Sequence, residues 1–124
     1  MEENNHKILV VDNEELLLSL AKTFLERIGY SVETAGNGRI ALEKLSANGN
    51  FDMVLSDVDM PEIGGIELVR RCREIYPQMP FLMVSGLSLY HEKELKELGV
   101  DCLQKPYRLP QLKEKIEQIL NSKP

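Results

Sequence analysis

The sequence lacks several features that mark specialised classes of protein. It has no tryptophan and only two cysteines among 124 residues. Those cysteines, Cys72 and Cys102, belong to no CxxC or Cys/His pattern, so they give no support to a zinc site or a redox motif. We expect both to be reduced, buried thiols that serve as small packing residues.

Long apolar runs and an excess of basic residues are also missing. No apolar run approaches the roughly 20 residues that cross a bilayer, and the N-terminus MEENNHK lacks the basic and apolar regions of a signal peptide. Fifteen Lys and Arg against twenty Asp and Glu give a net charge of -5, whereas nucleic-acid-binding domains normally carry a basic face. We therefore expect a cytoplasmic protein with neither membrane insertion nor direct nucleic-acid binding.

What is present is typical of one globular domain. The chain is 43% hydrophobic and 28% charged, which is close to the average for folded proteins. Its length suits one hydrophobic core, and no linker or low-complexity block interrupts residues 7–121. We expect a single domain over residues 1–124, with an ordered core of about 7–121.

Two hydrophobic periods alternate along the chain. Short apolar or alternating runs predict strands, and stretches with apolar residues at helical spacing follow each of them. Strands that alternate with helices predict a doubly wound α/β domain, in which a five-stranded parallel sheet is covered by five helices on both faces. The predicted strands are Ile8–Val11, Ser31–Ala35, Met53–Ser56, Phe81–Val84 and Asp101–Gln104.

Polar residues follow four of these five strands. They are Asp12 and Asn13, then the run 57–59, then Ser85, and finally Lys105. Because ligands of open parallel sheets bind beyond the carboxyl ends of the strands, we expect these side chains to meet at one edge. Paired carboxylates there suit Mg²⁺, which is bound through one or two carboxylates and shares its waters with a phosphate. Asp57, on the middle strand, is the natural nucleophile for an acyl phosphate.

Four segments together resemble the response-regulator receiver domain of two-component signalling. They cover essentially the whole chain in the family's order and spacing. The segments are ILVVDNEE at 8–15, MVLSDVDMP at 53–61, MVSG at 83–86 and LQKPY at 103–107.

The resemblance implies a flavodoxin-like strand order of 2-1-3-4-5 and a specific set of residue roles. Asp57 would accept a phosphoryl group from a histidine kinase or phosphotransfer protein, and Ser85 and Lys105 would contact that group. Phosphorylation would switch a protein-interaction surface for a downstream protein or effector domain. The domain would catalyse only its own phosphorylation and dephosphorylation. The family also usually has a cis peptide at the position of Lys105-Pro106. The implied Mg²⁺ ligands are Asp12, Asn13, Asp57 and the backbone carbonyl of Asp59.

Two residues depart from the family pattern. Asn13 stands where a second acid is usual, and it offers a carbonyl oxygen without a charge, so we predict weaker Mg²⁺ binding that Glu14 offsets in part. Cys102 occupies the position, three residues before Lys105, where the family commonly has Tyr or Phe. The coupled inward movement of a hydroxyl and an aromatic ring that is usual in the family is therefore not assumed for this chain.

The residues leave alternatives open. The sequence does not decide between a stand-alone regulator and a receiver cut from a longer regulator or hybrid kinase. Asn13 and Cys102 are also compatible with a receiver-like module that binds its partner without phosphorylation. The Asp57-Val58-Asp59 element further resembles the DxD element of haloacid-dehalogenase-like phosphatases, although in those enzymes it follows the first strand and here it follows the third.

Overall fold

The computed structural model describes residues 6–48, 50–86 and 88–122 and shows five strands alternating with five helices. The strands are β1 Lys7–Val11, β2 Ser31–Ala35, β3 Met53–Asp57, β4 Phe81–Ser85 and β5 Asp101–Gln104. The helices are α1 Glu15–Arg27, α2 Gly38–Asn48, α3 Gly65–Ile75, α4 Ser88–Glu97 and α5 Leu109–Asn121. No helix in these ranges is long and apolar enough to cross a membrane.

The strands form one parallel sheet in the order β2-β1-β3-β4-β5, which confirms the predicted fold. The chain passes from β1 outward to β2 and then returns to place β3 on the other side of β1. The order therefore reverses between β1 and β3, where Val11 pairs with Ser56. This switch point is where open α/β sheets bind ligands.

Each face of the sheet carries its own apolar core, because side chains alternate between the two faces of a strand. One core joins the sheet to α2, α3 and α4, and the other joins it to α1 and α5. Fully buried side chains mark the first core at Leu45 and Leu68 and the second at Leu25 and Ile116. The unbroken apolar runs in the central strands are explained by this burial on both faces.

The start of α3 lies directly against the end of β3. The Gly65 N–H donates a hydrogen bond to the Val58 carbonyl at 2.9 Å. A Cβ at Gly65 would lie 2.6 Å from the Asp57 carbonyl oxygen and 2.9 Å from the Val58 Cα. Since both neighbours are backbone atoms, only glycine fits this approach.

Three strands extend one residue beyond their predicted bounds. β1 begins at Lys7, β3 includes Asp57 and β4 includes Ser85. Pairing across the sheet explains these differences, because Lys7 faces Ser31, Asp57 faces Val84 and Ser85 faces Gln104. Polar side chains are tolerated at these ends since the ladder uses only the backbone.

The two cysteines are free thiols, and the structure corrects one part of the expectation about them. Cys72 is fully buried, and burial raises the pKa of its thiol to about 11. Cys102 is only half-buried, because β5 is an edge strand and one side of its side chain is not covered by a neighbouring strand.

Candidate functional site

Two buried aspartates lie at the switch point of the sheet. Asp12 directly follows β1, and Asp57 is the last residue of the adjacent β3. Their side chains are nearly closed to solvent, with residue exposures of 9% and 7%. Acidic residues are rarely buried without a compensating charge, so this pair marks a site rather than ordinary surface.

Lys105 supplies one compensating charge. Its Nζ lies 3.1 Å from Oδ2 of Asp57. The loop that carries it is fixed to the sheet, because the Lys105 N–H donates to the Ser85 carbonyl at 2.9 Å. Partial burial lowers the pKa of the Lys105 ammonium, but the hydrogen bond and charge of Asp57, with the charge of Asp12, outweigh it and leave that pKa raised. Lys105 is therefore held as a cation beside Asp57.

The carboxyl of Asp12 resists ionisation. Burial raises its pKa, the Glu14 N–H donated to Oδ1 at 2.9 Å lowers it, and the Asp57 carboxylate raises it again, with a net increase. Glu14 is the N-cap residue of α1, and its own charge also raises the pKa of Asp12. One ammonium thus faces two carboxylates, which leaves the site with excess negative charge.

Asn13 and Asp59 lie in the loops that follow β1 and β3, next to the buried pair Asp12 and Asp57. The Asp59 N–H donates to Oδ1 of Asp57 at 3.1 Å, and Asp59 itself is exposed. Asp57 thus receives the Asp59 N–H on one oxygen and the Lys105 ammonium on the other. Asn13 is exposed at the same edge, between Asp12 and Glu14.

Ser85 is fully buried at the carboxyl end of β4. It lies one residue beyond Val84, which pairs with Asp57. The structure therefore brings Ser85 to the predicted edge of the sheet. The Lys105-Pro106 peptide is cis, as the resemblance implies.

The donor set suits a hard divalent cation. Carboxylate and carbonyl oxygens are the ligands that Mg²⁺ prefers, and two buried carboxylates beside a single ammonium leave a charge for a cation to neutralise. Within residues 6–48, 50–86 and 88–122, no group of three or more His, Cys, Asp or Glu side chains is placed to hold a metal. A magnesium site here would therefore have two carboxylate ligands and take the rest of its shell from carbonyl oxygen and water.

Sequence reasoning missed two features of the site. The Glu14 N–H orients Asp12, and the Ser56 hydroxyl donates to the Asp57 carbonyl at 2.9 Å. Glu14 was expected as a charge that helps to hold metal, and its backbone contact gives no sequence signal. Tyr107, two residues after Lys105, packs against the core on the α1/α5 face and is half-buried there.

The strand order and the residues at the carboxyl edge of the sheet define the class of protein. It is a doubly wound α/β domain in which Lys105 lies beside an acidic site. The family model for the response regulator receiver domain matches residues 8–117. The chain is 40% identical over 116 residues to the transcriptional regulatory protein CpxR homolog of Haemophilus influenzae, covering 92% of this chain and 50% of that protein.

Solved structures agree with the sequence match. A response regulator receiver domain protein from Clostridium thermocellum superposes with a TM-score of 0.89 at 29% identity, covering 94% of each chain. The response regulator TrrA from Thermotoga maritima, solved in complex with Mg²⁺–BeF, has a TM-score of 0.84 at 32% identity over 92% of this chain and 98% of that one. The chain belongs to the response-regulator receiver family, and it is a signalling domain rather than a conventional enzyme. It spans about half the length of the CpxR homolog.

Family membership decides between the receiver and the haloacid-dehalogenase-like phosphatase. The match covers residues 8–117 as a receiver, and Asp57 ends the third strand rather than the first. The phosphatase interpretation of the Asp57-Val58-Asp59 element is therefore not retained.

Proposed function

We propose that Asp57 is the phosphoryl acceptor, and that a phosphohistidine of a histidine kinase or phosphotransfer protein supplies the group. In this step a carboxylate oxygen of Asp57 attacks phosphorus. The bond between phosphorus and the imidazole nitrogen breaks, and the nitrogen keeps the electron pair and takes up a proton. The product is an aspartyl phosphate on the end of β3.

The observation that carries this proposal is the ion pair between Asp57 and Lys105, in which Asp57 is buried beside a second buried carboxyl group, that of Asp12. The Lys105 ammonium lies 3.1 Å from Asp57. It would therefore be close enough to stabilise the negative charge on the phosphoryl oxygens once the carboxylate has been phosphorylated. Ser85, buried at the same edge, would donate its hydroxyl to another of these oxygens.

Asp12, Asp57 and the backbone carbonyl of Asp59 would hold Mg²⁺, and the Asn13 amide oxygen would assist. When bound, Mg²⁺ would offset charge on the transferring phosphoryl group. The residues' own contribution is to orient the acceptor: the Asp59 N–H fixes one oxygen of Asp57, and the Glu14 N–H fixes Asp12.

Phosphorylation replaces a carboxylate with a group of about two negative charges. Ser85 and Lys105 would be drawn toward it, which shifts a pre-existing equilibrium between two forms of an interaction surface. The recipient would be a downstream protein or an attached effector domain in the cytoplasm.

Intact-mass analysis after incubation with acetyl phosphate and Mg²⁺ tests the acceptor. The parent chain should gain one phosphoryl mass, and Asp57→Asn should gain none. Asp101→Asn removes an exposed carboxylate of β5 outside the site and should behave as the parent does. Equal gains by the parent and Asp57→Asn would refute the assignment.

A second candidate is a receiver that binds its partner without phosphorylation. The observation in its favour is the exposed Asn13 amide, which leaves the cation site one charge short of the usual pair of adjacent acids. Identical partner affinity for the parent and Asp57→Asn, with and without acetyl phosphate, would establish this alternative.

A further inference from the structure

A groove of about 570 Å³ runs from the acidic site between α1 and the first turn of α5. Its volume lies in the range of small-molecule pockets, about 300–1,000 Å³. Most of the lining is apolar, and the polar groups are confined to one end. The residues that matter are Leu17, Leu20 and Ala21 of α1 and Leu109 and Leu112 of α5.

The exposure of the apolar residues changes along both helices. Leu25, near the end of α1, is fully buried, whereas Leu20 is 58% exposed. On α5, Leu112 is fully buried and Leu109 is 48% exposed. The large exposed leucines thus stand at the mouth of the groove, where an apolar body would remove their surfaces from water.

One end of the groove is acidic. Asp12, Asp57 and Lys105 line it, so two carboxylates face one ammonium. This leaves one unmatched negative charge at the end of an apolar channel. Charge complementarity therefore favours a ligand whose head is a cation and disfavours an anionic head.

We propose that this groove binds small amphipathic cations, in which a ring or short alkyl body lies between Leu20 and Leu109 and a protonated amine meets Asp12 and Asp57. The occupant would cover the carboxylate of Asp57. On the function proposed above, from which this consequence follows, it would block phosphorylation and compete with Mg²⁺ for the same charge.

Three probes that share one apolar body test the proposal: 4-phenylbutylamine, 4-phenylbutanol and 4-phenylbutanoate. Titration in Mg²⁺-free buffer, followed by amide NMR shifts, should give the order amine, then alcohol, then carboxylate from tightest to weakest. The largest shifts should fall on residues 12–21 and 105–112. Equal affinities for the three probes, binding by none of them, or shifts centred elsewhere would overturn the proposal.

Matched substitutions test the apolar wall. Leu20→Gln should weaken amine binding about tenfold, because about 1.4 kcal/mol of apolar contact is lost. Ile75→Gln changes a similarly exposed residue on α3, which does not line the groove, and should leave the affinity unchanged. The same loss in both variants would overturn the assignment of the wall.

Linkage with Mg²⁺ tests the polar end. Mg²⁺ should weaken amine binding, and saturating amine should weaken Mg²⁺ binding by the same factor, since coupling between two ligands is reciprocal. If Mg²⁺ and the amine bind without affecting each other, the proposal that both are held by the carboxylates of Asp12 and Asp57 is overturned. A chain that binds the amine in this manner but gains no phosphoryl mass would retain the groove proposal and lose the acceptor proposal.

Discussion

At the scale of single residues, the ionised carboxylate of Asp12 is destabilised by its surroundings in the folded chain. Burial and the Asp57 carboxylate raise its pKa above the ordinary value of 3.8. The folded chain thus binds this proton more tightly than the unfolded chain does. Stability is lost as the pH rises from the unfolded pKa through the folded one, because ionisation is then harder in the fold.

Asp12→Asn should therefore raise the free energy of unfolding of the Mg²⁺-free protein near neutral pH. Near pH 3 the carboxyl is protonated in both states, and the difference should largely vanish. Urea unfolding followed by circular dichroism at the two pH values measures this, with Asp101→Asn as the control. A stabilisation of equal size at both pH values, or none at neutral pH, would contradict the account.

Asn13 tests the link between charge and cation affinity. Asn13→Asp adds a carboxylate beside Asp12 and should tighten Mg²⁺ binding roughly 3- to 10-fold, because ligand charge sets the affinity of such sites. Isothermal titration calorimetry measures the affinity directly. Asn50→Asp adds the same charge in the loop before β3, at the opposite edge of the sheet, and should have little effect. Unchanged affinity in Asn13→Asp would count against the site.

At the scale of elements, the contact between α3 and β3 sets the surroundings of Asp57. Gly65→Ala would place a Cβ 2.6 Å from the Asp57 carbonyl oxygen, and neither backbone can yield cheaply. We expect a loss of about 1–3 kcal/mol in the free energy of unfolding, measured by chemical denaturation. Gly36→Ala has no heavy atom within 4 Å of the added Cβ and is the matched control. Equal stability of the two variants would refute this contact.

The sequence predicted the number, type and order of the elements because each has a clear hydrophobic period. The ends of the strands could not be predicted as well, because Asp57 and Ser85 join the sheet through backbone pairing with residues on other strands. Contacts between helices gave no signal at all. Arg73 of α3, for example, donates to the Leu98 carbonyl just after α4, a contact that no local pattern encodes.

At the scale of the whole molecule, the strand order came from the family resemblance, since periodicity alone does not say which strands are neighbours. The closeness of Lys105 to Asp57 was predictable once the strands were parallel, because their carboxyl ends share one edge. The groove was not predictable. It depends on how side chains from α1, α5 and the sheet are placed around one space, which is a tertiary arrangement that no local pattern encodes.

The central claim is that the acceptor is one particular carboxylate at the end of β3. Reductive trapping tests it most directly: after incubation with acetyl phosphate and Mg²⁺, borohydride converts an aspartyl phosphate to homoserine, which peptide mass spectrometry locates. The account predicts homoserine at position 57 alone, and only when both phosphodonor and Mg²⁺ are present. Homoserine at position 12 or 59, or its formation without Mg²⁺ at the same rate, would contradict it.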